Sequence, residues 1–149
     1  MPDVDFTLTE EFRAPRPLVF RQWTDADCIA AWFAPETFEV VACEVDVRPG
    51  GAWMVRYQTP GGDPIEEQGT YVTIDAPALL EFTLQHRWAT GALGPELRCT
   101  VRFTDTAAGT RVDFTQTGIT SAGMRDGMRD GWIGCFAKLT RHLGVEAAA

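Results

Sequence analysis

A chain of 149 residues, 45% hydrophobic and 23% charged, has a globular composition and is long enough to bury roughly two-thirds of its unfolded surface. Thirteen basic against twenty-one acidic residues leave a net charge of −8, which argues against nucleic acid or an anionic membrane as partner, since both need a basic footprint. No apolar run approaches the roughly 18–20 residues of a membrane span and the N-terminus lacks a basic-then-apolar signal pattern, so a cytoplasmic location is expected.

Residues 4–13 place Val4, Phe6 and Leu8 on one parity, continued by Phe12, and predict an opening strand. Ala14-Pro15-Arg16-Pro17 stops it, and Pro17 suits the first turn of a short helix over 17–23. Thr24 followed by Asp27 is a weak capping signal for a second short helix over 25–33, with Ile29, Trp32 and Phe33 as its apolar set and Pro35 as its stop. Strands over 38–48 and 52–58 follow. Val41, Cys43, Val45 and Val47 share one parity of the first, and Trp53, Val55 and Tyr57 one parity of the second. Pro49-Gly50 fits the centre of a type II turn between them.

After the loop 59–64, four more strands are expected over 66–74, 79–86, 96–104 and 110–117. Leu80, Phe82 and Leu84 share a face, as do Leu97, Cys99, Val101 and Phe103, and Val112 with Phe114. Strand 66–74 alternates too weakly to assign its inward side. The last stretch, 121–143, carries Met124, Met128, Trp132, Phe136, Leu139 and Leu143 at helical spacing, with Thr120 or Ser121 as N-cap and Gly144 as C-terminal stop.

Within that helix a tandem Gly-Met-Arg-Asp lines up Gly123, Gly127 and Gly131 as a bare ridge beside Met124, Met128 and Trp132. With Gly134, these interior glycines cost roughly 3–4 kcal/mol relative to alanine, so the helix depends on tertiary packing. The ridge reads either as close backbone contact with a sheet or as room for a ligand beside adaptable Met and Trp side chains. One strand, two short helices, six strands and a long helix make an α+β domain, 1–149, in which only the last helix is long enough to cross the apolar face of an antiparallel sheet.

The chain resembles the activator-of-heat-shock-protein-ATPase homologue (Aha-type) proteins of the START-like, or SRPBCC, superfamily. The resemblance rests on an ordered set: Ala14-Pro15 before Val19-Phe20, Thr24-Asp25, Ala31-Trp32-Phe33-Ala34-Pro35 and Asp46-Val47-Arg48-Pro49-Gly50-Gly51. It continues through Gly69 before Ile74-Asp75-Ala76-Pro77, then Gly109-Thr110-Arg111 and Gly131-Trp132 with Leu139. It implies a helix-grip fold, a seven-stranded curved antiparallel sheet around the C-terminal helix, with a cavity that commonly holds an apolar small molecule. Many relatives place a histidine before the Gly-Trp pair where this chain has Met128, a change that favours an apolar ligand.

No nucleophile elbow, phosphate-binding glycine loop or H-E-x-x-H motif is present. Cys28, Cys43, Cys99 and Cys135 are too scattered for a metal cluster and read as buried free thiols; no cofactor is expected. His86 continues the parity of Phe82 and Leu84 toward Trp88 and points to the cavity mouth, as a rim histidine or a general base. Glu66-Glu67 face opposite sides of a strand and read as surface charge, while Asp46 and Arg48 hold the hairpin turn. Arg98, Arg102 and Arg111 oppose the apolar rows on a solvated convex face.

The expected cavity lining is Trp53, Val55, Tyr57, Phe82, Leu84, His86, Trp88, Val101, Met124, Met128 and Trp132, around a small hydrophobic molecule. Two alternatives come with the resemblance. One is an interaction protein contacting a heat-shock chaperone, although the eukaryotic activators carry an additional N-terminal domain for which this chain has no room. The other is a cyclase- or aromatase-like enzyme using His86. Trp23 or Trp32, if exposed, would mark a homodimer contact; core placement is the competing reading.

Overall fold

In the computed structural model, which describes residues 5–34 and 37–148 with side chains through residue 144, the elements run in the expected order. Strand β1 (Phe6–Phe12) leads into helices α1 (Arg16–Arg21) and α2 (Ala26–Trp32). Strands β2 (Glu39–Val45), β3 (Ala52–Gln58), β4 (Ile65–Asp75), β5 (Leu79–Arg87), β6 (Leu97–Asp105) and β7 (Thr110–Thr117) follow, and helix α3 (Ala122–Ala148) comes last. The seven strands form one curved antiparallel sheet in the order β1-β7-β6-β5-β4-β3-β2, so every sequential pair from β2 to β7 is a hairpin and β1 closes onto β7. Val4 and Pro35 lie outside the described residues.

Alternation sets the sheet's inner face. Trp53, Val55 and Tyr57 on β3, Leu80, Phe82 and Leu84 on β5, Leu97, Cys99, Val101 and Phe103 on β6 and Val112 with Phe114 on β7 are all buried, as the apolar parity requires. The type II turn is present: Gly51 N–H donates to Arg48 O at 2.8 Å, and Gly50 takes φ of +84°, a conformation a Cβ would oppose. Arg48 Nε meets Asp46 Oδ2 at 2.8 Å, bracing the same turn.

Strand β2 departs from its expected row. Its register slips between Val40 and Ala42, so Val41 is the extra residue of a bulge and turns outward, 48% exposed. The strand also ends at Val45, which leaves Val47 in the connection before the turn at 41% exposure. Val40, Cys43 and Val45 pack on the core instead. On β4 the inward residues are Glu67, Gly69 and Tyr71, after which a second bulge between Tyr71 and Thr73 brings Ile74 to the core side. Glu67 is therefore not the surface charge expected of it; only Glu66 is outward, near Arg56 (3.0 Å) and Arg87 (3.9 Å).

Two caps differ from expectation for local reasons. Asp25, not Thr24, caps α2: its carboxylate accepts the Asp27 and Cys28 amides at 3.0 and 3.1 Å, and the Cys28 amide is the chief reason its pKa lies below the ordinary value. Thr24 Oγ1 instead bonds back to Phe20 O at 3.4 Å. Ser121 Oγ accepts the Met124 amide at 3.1 Å and starts α3. Gly144 does not stop that helix, which runs on to Ala148; an interior glycine costs only about 1 kcal/mol and its φ is not positive here.

Helix α3, about 40 Å long, lies along the inner face. Trp132, Cys135, Phe136, Leu139 and Leu143 are buried, whereas Met124 and Met128 nearer its N-terminus are half-buried. The short helices fill much of the remaining space. The Trp23 ring stacks on Trp132 (6.0 Å, 16°) and Phe114 (6.0 Å, 24°) and meets Trp32 edge-on at 4.6 Å. Trp32 Nε1 donates to Gln22 O at 3.0 Å. Both tryptophans are core residues at 4% and 1% exposure, so neither offers a dimer contact.

Candidate functional site

Between the N-terminal half of α3 and the ends of β3, β4 and β5 lies a cavity of about 420 Å³. Met124, Gly127, Met128, Gly131, Trp132 and Cys135 of α3 line one side; Phe33, Tyr57, Glu67, His86, Trp88, Gly94 and Pro95 line the rest. Its size falls within the usual range for small-molecule sites, roughly 300–1,000 Å³. The helix glycines explain why it is open. A Cβ built on Gly123, Gly127 or Gly131 would meet nothing within 4 Å, so the ridge is not pressed against the sheet. A four-residue glycine period has left a furrow along the helix at the point where it faces the cavity.

The β5–β6 connection forms the rim. Gly94 N–H donates to His86 O at 2.8 Å, Gln85 Nε2 donates to Gly94 O at 2.9 Å, and Trp88 N–H donates to Ala92 O at 2.9 Å. These bonds fold the loop back over the end of β5 and hold Gly94 and Pro95 beside His86. Trp88, 44% exposed, stacks on the His86 imidazole at 5.3 Å and 10°. The mouth is therefore aromatic and the imidazole lies beneath it.

The cavity wall carries one polar cluster, and the sheet register builds it. Glu67 pairs directly with His86 across β4–β5 and with Val55 across β3–β4, which puts Tyr57 on its diagonal. Tyr57 Oη donates to Glu67 Oε2 at 2.5 Å, and His86 Nε2 stands 3.7 Å from the same oxygen. Burial raises the Glu67 pKa above its ordinary value near 4.5, with the His86 charge and the Tyr57 hydrogen bond opposing in part. Burial, and then the neighbouring Glu67 charge, push the Tyr57 phenol well above its ordinary value. Among the described residues Glu67 Oε1 has no hydrogen-bond partner, and no Lys or Arg lines the cavity. Chemically, the cluster can keep a proton on a carboxyl group and present it to an uncharged oxygen.

Of the eleven residues expected to line the site, six meet at this cavity: Tyr57, His86, Trp88, Met124, Met128 and Trp132. Trp53, Val55 and Phe82 border a separate void of about 20 Å³ with Trp23, Ile29, Trp32, Phe33 and Tyr71. Leu84 and Val101 are fully buried in the sheet's packing and reach neither space. Trp53 is drawn aside because it stands opposite Gly69 and spans it, its Nε1 donating to Thr83 O at 3.0 Å. Glu67, Phe33, Cys135, Gly94 and Pro95 were not anticipated. The signal for Glu67 was its shared parity with Gly69 and Tyr71, hidden by the bulge beyond them.

None of the four cysteines forms a disulfide; Cys28, Cys99 and Cys135 are buried, and burial is the main cause that raises the pKa of the half-buried Cys43 to about 11. Among the described residues no group of His, Cys, Asp and Glu could hold a metal ion, and no helix is long and apolar enough to cross a membrane. A wider trough of about 570 Å³ on the sheet's outer side, floored by Met54, Gln68, Thr70, Thr83 and Gln85 and edged by Glu44, Asp46 and Glu96, lies away from α3.

Solved structures share this architecture. A protein of Nitrosomonas europaea aligns at 25% identity over 97% of each chain with a TM-score of 0.82. The AHSA1 protein of Silicibacter pomeroyi aligns at 21% identity over 95% of this chain and 99% of its own, with a TM-score of 0.85. An AHSA1-like protein of Aeromonas hydrophila, solved by NMR, aligns at 23% identity over 97% of this chain and 95% of its own, with a TM-score of 0.76. No curated protein sequence matches significantly. The family described as Activator of Hsp90 ATPase homolog 1-like protein matches over residues 13–144, and the chain belongs to it.

Proposed function

We infer that this protein binds a small hydrophobic molecule in the cavity between α3 and the sheet. The observation that carries this is the conjunction of an aromatic and methionine-lined space with a helix ridge stripped of side chains at Gly127 and Gly131. Each helix glycine costs about 0.8–1 kcal/mol relative to alanine, a cost that closer packing against the sheet does not offset here because nothing packs there. An apolar guest would bury the exposed edges of Trp88, Met124 and Met128, at about 25 cal/mol per Å² of apolar surface removed from water.

The test is native mass spectrometry and thermal shift of the purified protein against apolar aromatic compounds, alongside Gly127→Phe, which places a ring in the furrow. Binding by the wild type and its loss in a folded Gly127→Phe protein support the reading. Equal binding by both proteins, or none by either, contradicts it.

A further inference from the structure

The cavity is not uniformly apolar, and its one polar cluster narrows what it can hold. Four aromatic side chains, Phe33, Tyr57, Trp88 and Trp132, together with Met124 and Met128, present ring faces and soft thioethers to the space. A flat ring system fits such walls at little conformational cost. Against them stands Glu67, only 7% exposed, with one oxygen occupied by Tyr57 Oη at 2.5 Å and the other without a partner among the described residues. An occupant that displaces water from Oε1 and gives it no hydrogen bond in return costs about 1–3 kcal/mol, so one that supplies that bond is favoured over one that does not.

Charge decides which polar group that is. A carboxylate guest would bring a second acid beside Glu67 with no Lys or Arg among the described lining residues to balance it. An ammonium guest would need Glu67 ionised where burial disfavours ionisation. An uncharged oxygen avoids both costs. It can accept from a protonated Oε1, or, as a hydroxyl, donate to an ionised one.

Resting on the ligand-binding reading above, we propose that Glu67, oriented by Tyr57 and flanked by His86, is the specificity-determining anchor for a planar aromatic ligand bearing one uncharged oxygen, a phenolic hydroxyl or a ring carbonyl. The rings lie between the α3 furrow and the Trp88–His86 stack, and the oxygen points to Glu67 Oε1.

Four probes of one shape separate the possibilities: 2-naphthol, 2-methylnaphthalene, 2-naphthoate and 2-(aminomethyl)naphthalene. Dissociation constants are measured on the wild type, Glu67→Gln and Glu67→Leu, with circular dichroism and cooperative unfolding confirming that each variant folds. The wild type binds 2-naphthol about tenfold more tightly than 2-methylnaphthalene, as one net hydrogen bond allows, and binds both charged probes more weakly than either. Glu67→Gln, whose amide can both donate and accept, keeps that preference. Glu67→Leu still binds 2-methylnaphthalene but loses the preference for 2-naphthol. Equal binding of the two neutral probes by the wild type, an unchanged ratio in Glu67→Leu, or tightest binding of a charged probe overturns the anchor. Failure of all four probes to bind the wild type overturns the cavity reading itself, an outcome distinct from binding without discrimination.

Discussion

The Tyr57 hydroxyl reaches diagonally across two paired strands to lie 2.5 Å from Glu67 Oε2, tying the one carboxyl group that lines the cavity among the described residues to the sheet that surrounds it. That bond satisfies one buried acceptor of a side chain that can move little. Replacing the donor as Tyr57→Phe leaves the ring packing against Phe38 (5.6 Å, 82°) in place but strands the oxygen. The expected cost is about 1–3 kcal/mol of unfolding free energy. Urea unfolding at pH 7 measures it. Because both changes remove one interaction, Tyr57→Phe combined with Glu67→Leu should cost less than the sum of the two.

Glu67 also makes stability depend on pH. The groups facing it are Tyr57 from β3, His86 from β5, Cys135 from α3 and Cys99 from β6. Its folded pKa is raised above about 4.5, mainly by burial, so between the unfolded and folded values the native state holds a proton that the unfolded chain has released. Its contribution to stability is therefore full below about 4.5 and lost as pH rises through the folded value. The melting temperature of Glu67→Gln relative to wild type should rise across that window and level off above it. A difference that stays flat from pH 4 to 8 would show that the carboxyl group titrates normally.

Glycines on α3 and on β4 should respond in opposite senses. Gly127→Ala adds a methyl group to open space and improves helix propensity, a gain of about 0.8–1 kcal/mol. A Cβ at Gly69 would fall 1.9 Å from Thr83 O and 2.8 Å from Trp53 Nε1, so Gly69→Ala must move backbone and is expected to cost about 3 kcal/mol. Chemical denaturation of the two variants distinguishes a furrow from a close contact.

Trp23 joins three layers, stacking on Trp132 of α3 and Phe114 of β7 while meeting Trp32 of α2. Trp23→Ala should cost about 3–5 kcal/mol, as large core truncations do. It should also enlarge the internal space next to Phe33, which borders both the small void and the cavity. A loss below about 1 kcal/mol would mean that α1 and α2 are not integral to the core.

Most of the sheet was readable because period-two alternation survives wherever pairing is regular. Leu80, Phe82, Leu84 and His86 on β5 keep one face without interruption, and each is buried. Where a bulge inserts a residue, parity before and after it conflicts. This hid Val41 on β2 and the inward course of β4. Glu67 was obscured for a second reason: a Glu-Glu pair looks like solvated charge, and only the alignment of three strands shows that one of the two meets Tyr57 and His86. Trp53 teaches the converse. Its parity put it on the inner face, yet Gly69 opposite it takes the indole away from the cavity.

An apolar guest that enters between α3 and the sheet must touch the methionine methyl groups of the cavity wall. Met124 and Met128 line the cavity, whereas Met54 lies on the outer side of β3. In a protein labelled with ¹³C at the methionine methyls, titration with 2-naphthol should shift the Met124 and Met128 signals together and saturably while Met54 stays still. Shifts confined to Met54, or no movement at either α3 methionine with 2-naphthol at its solubility limit, would show that no guest enters between α3 and the sheet.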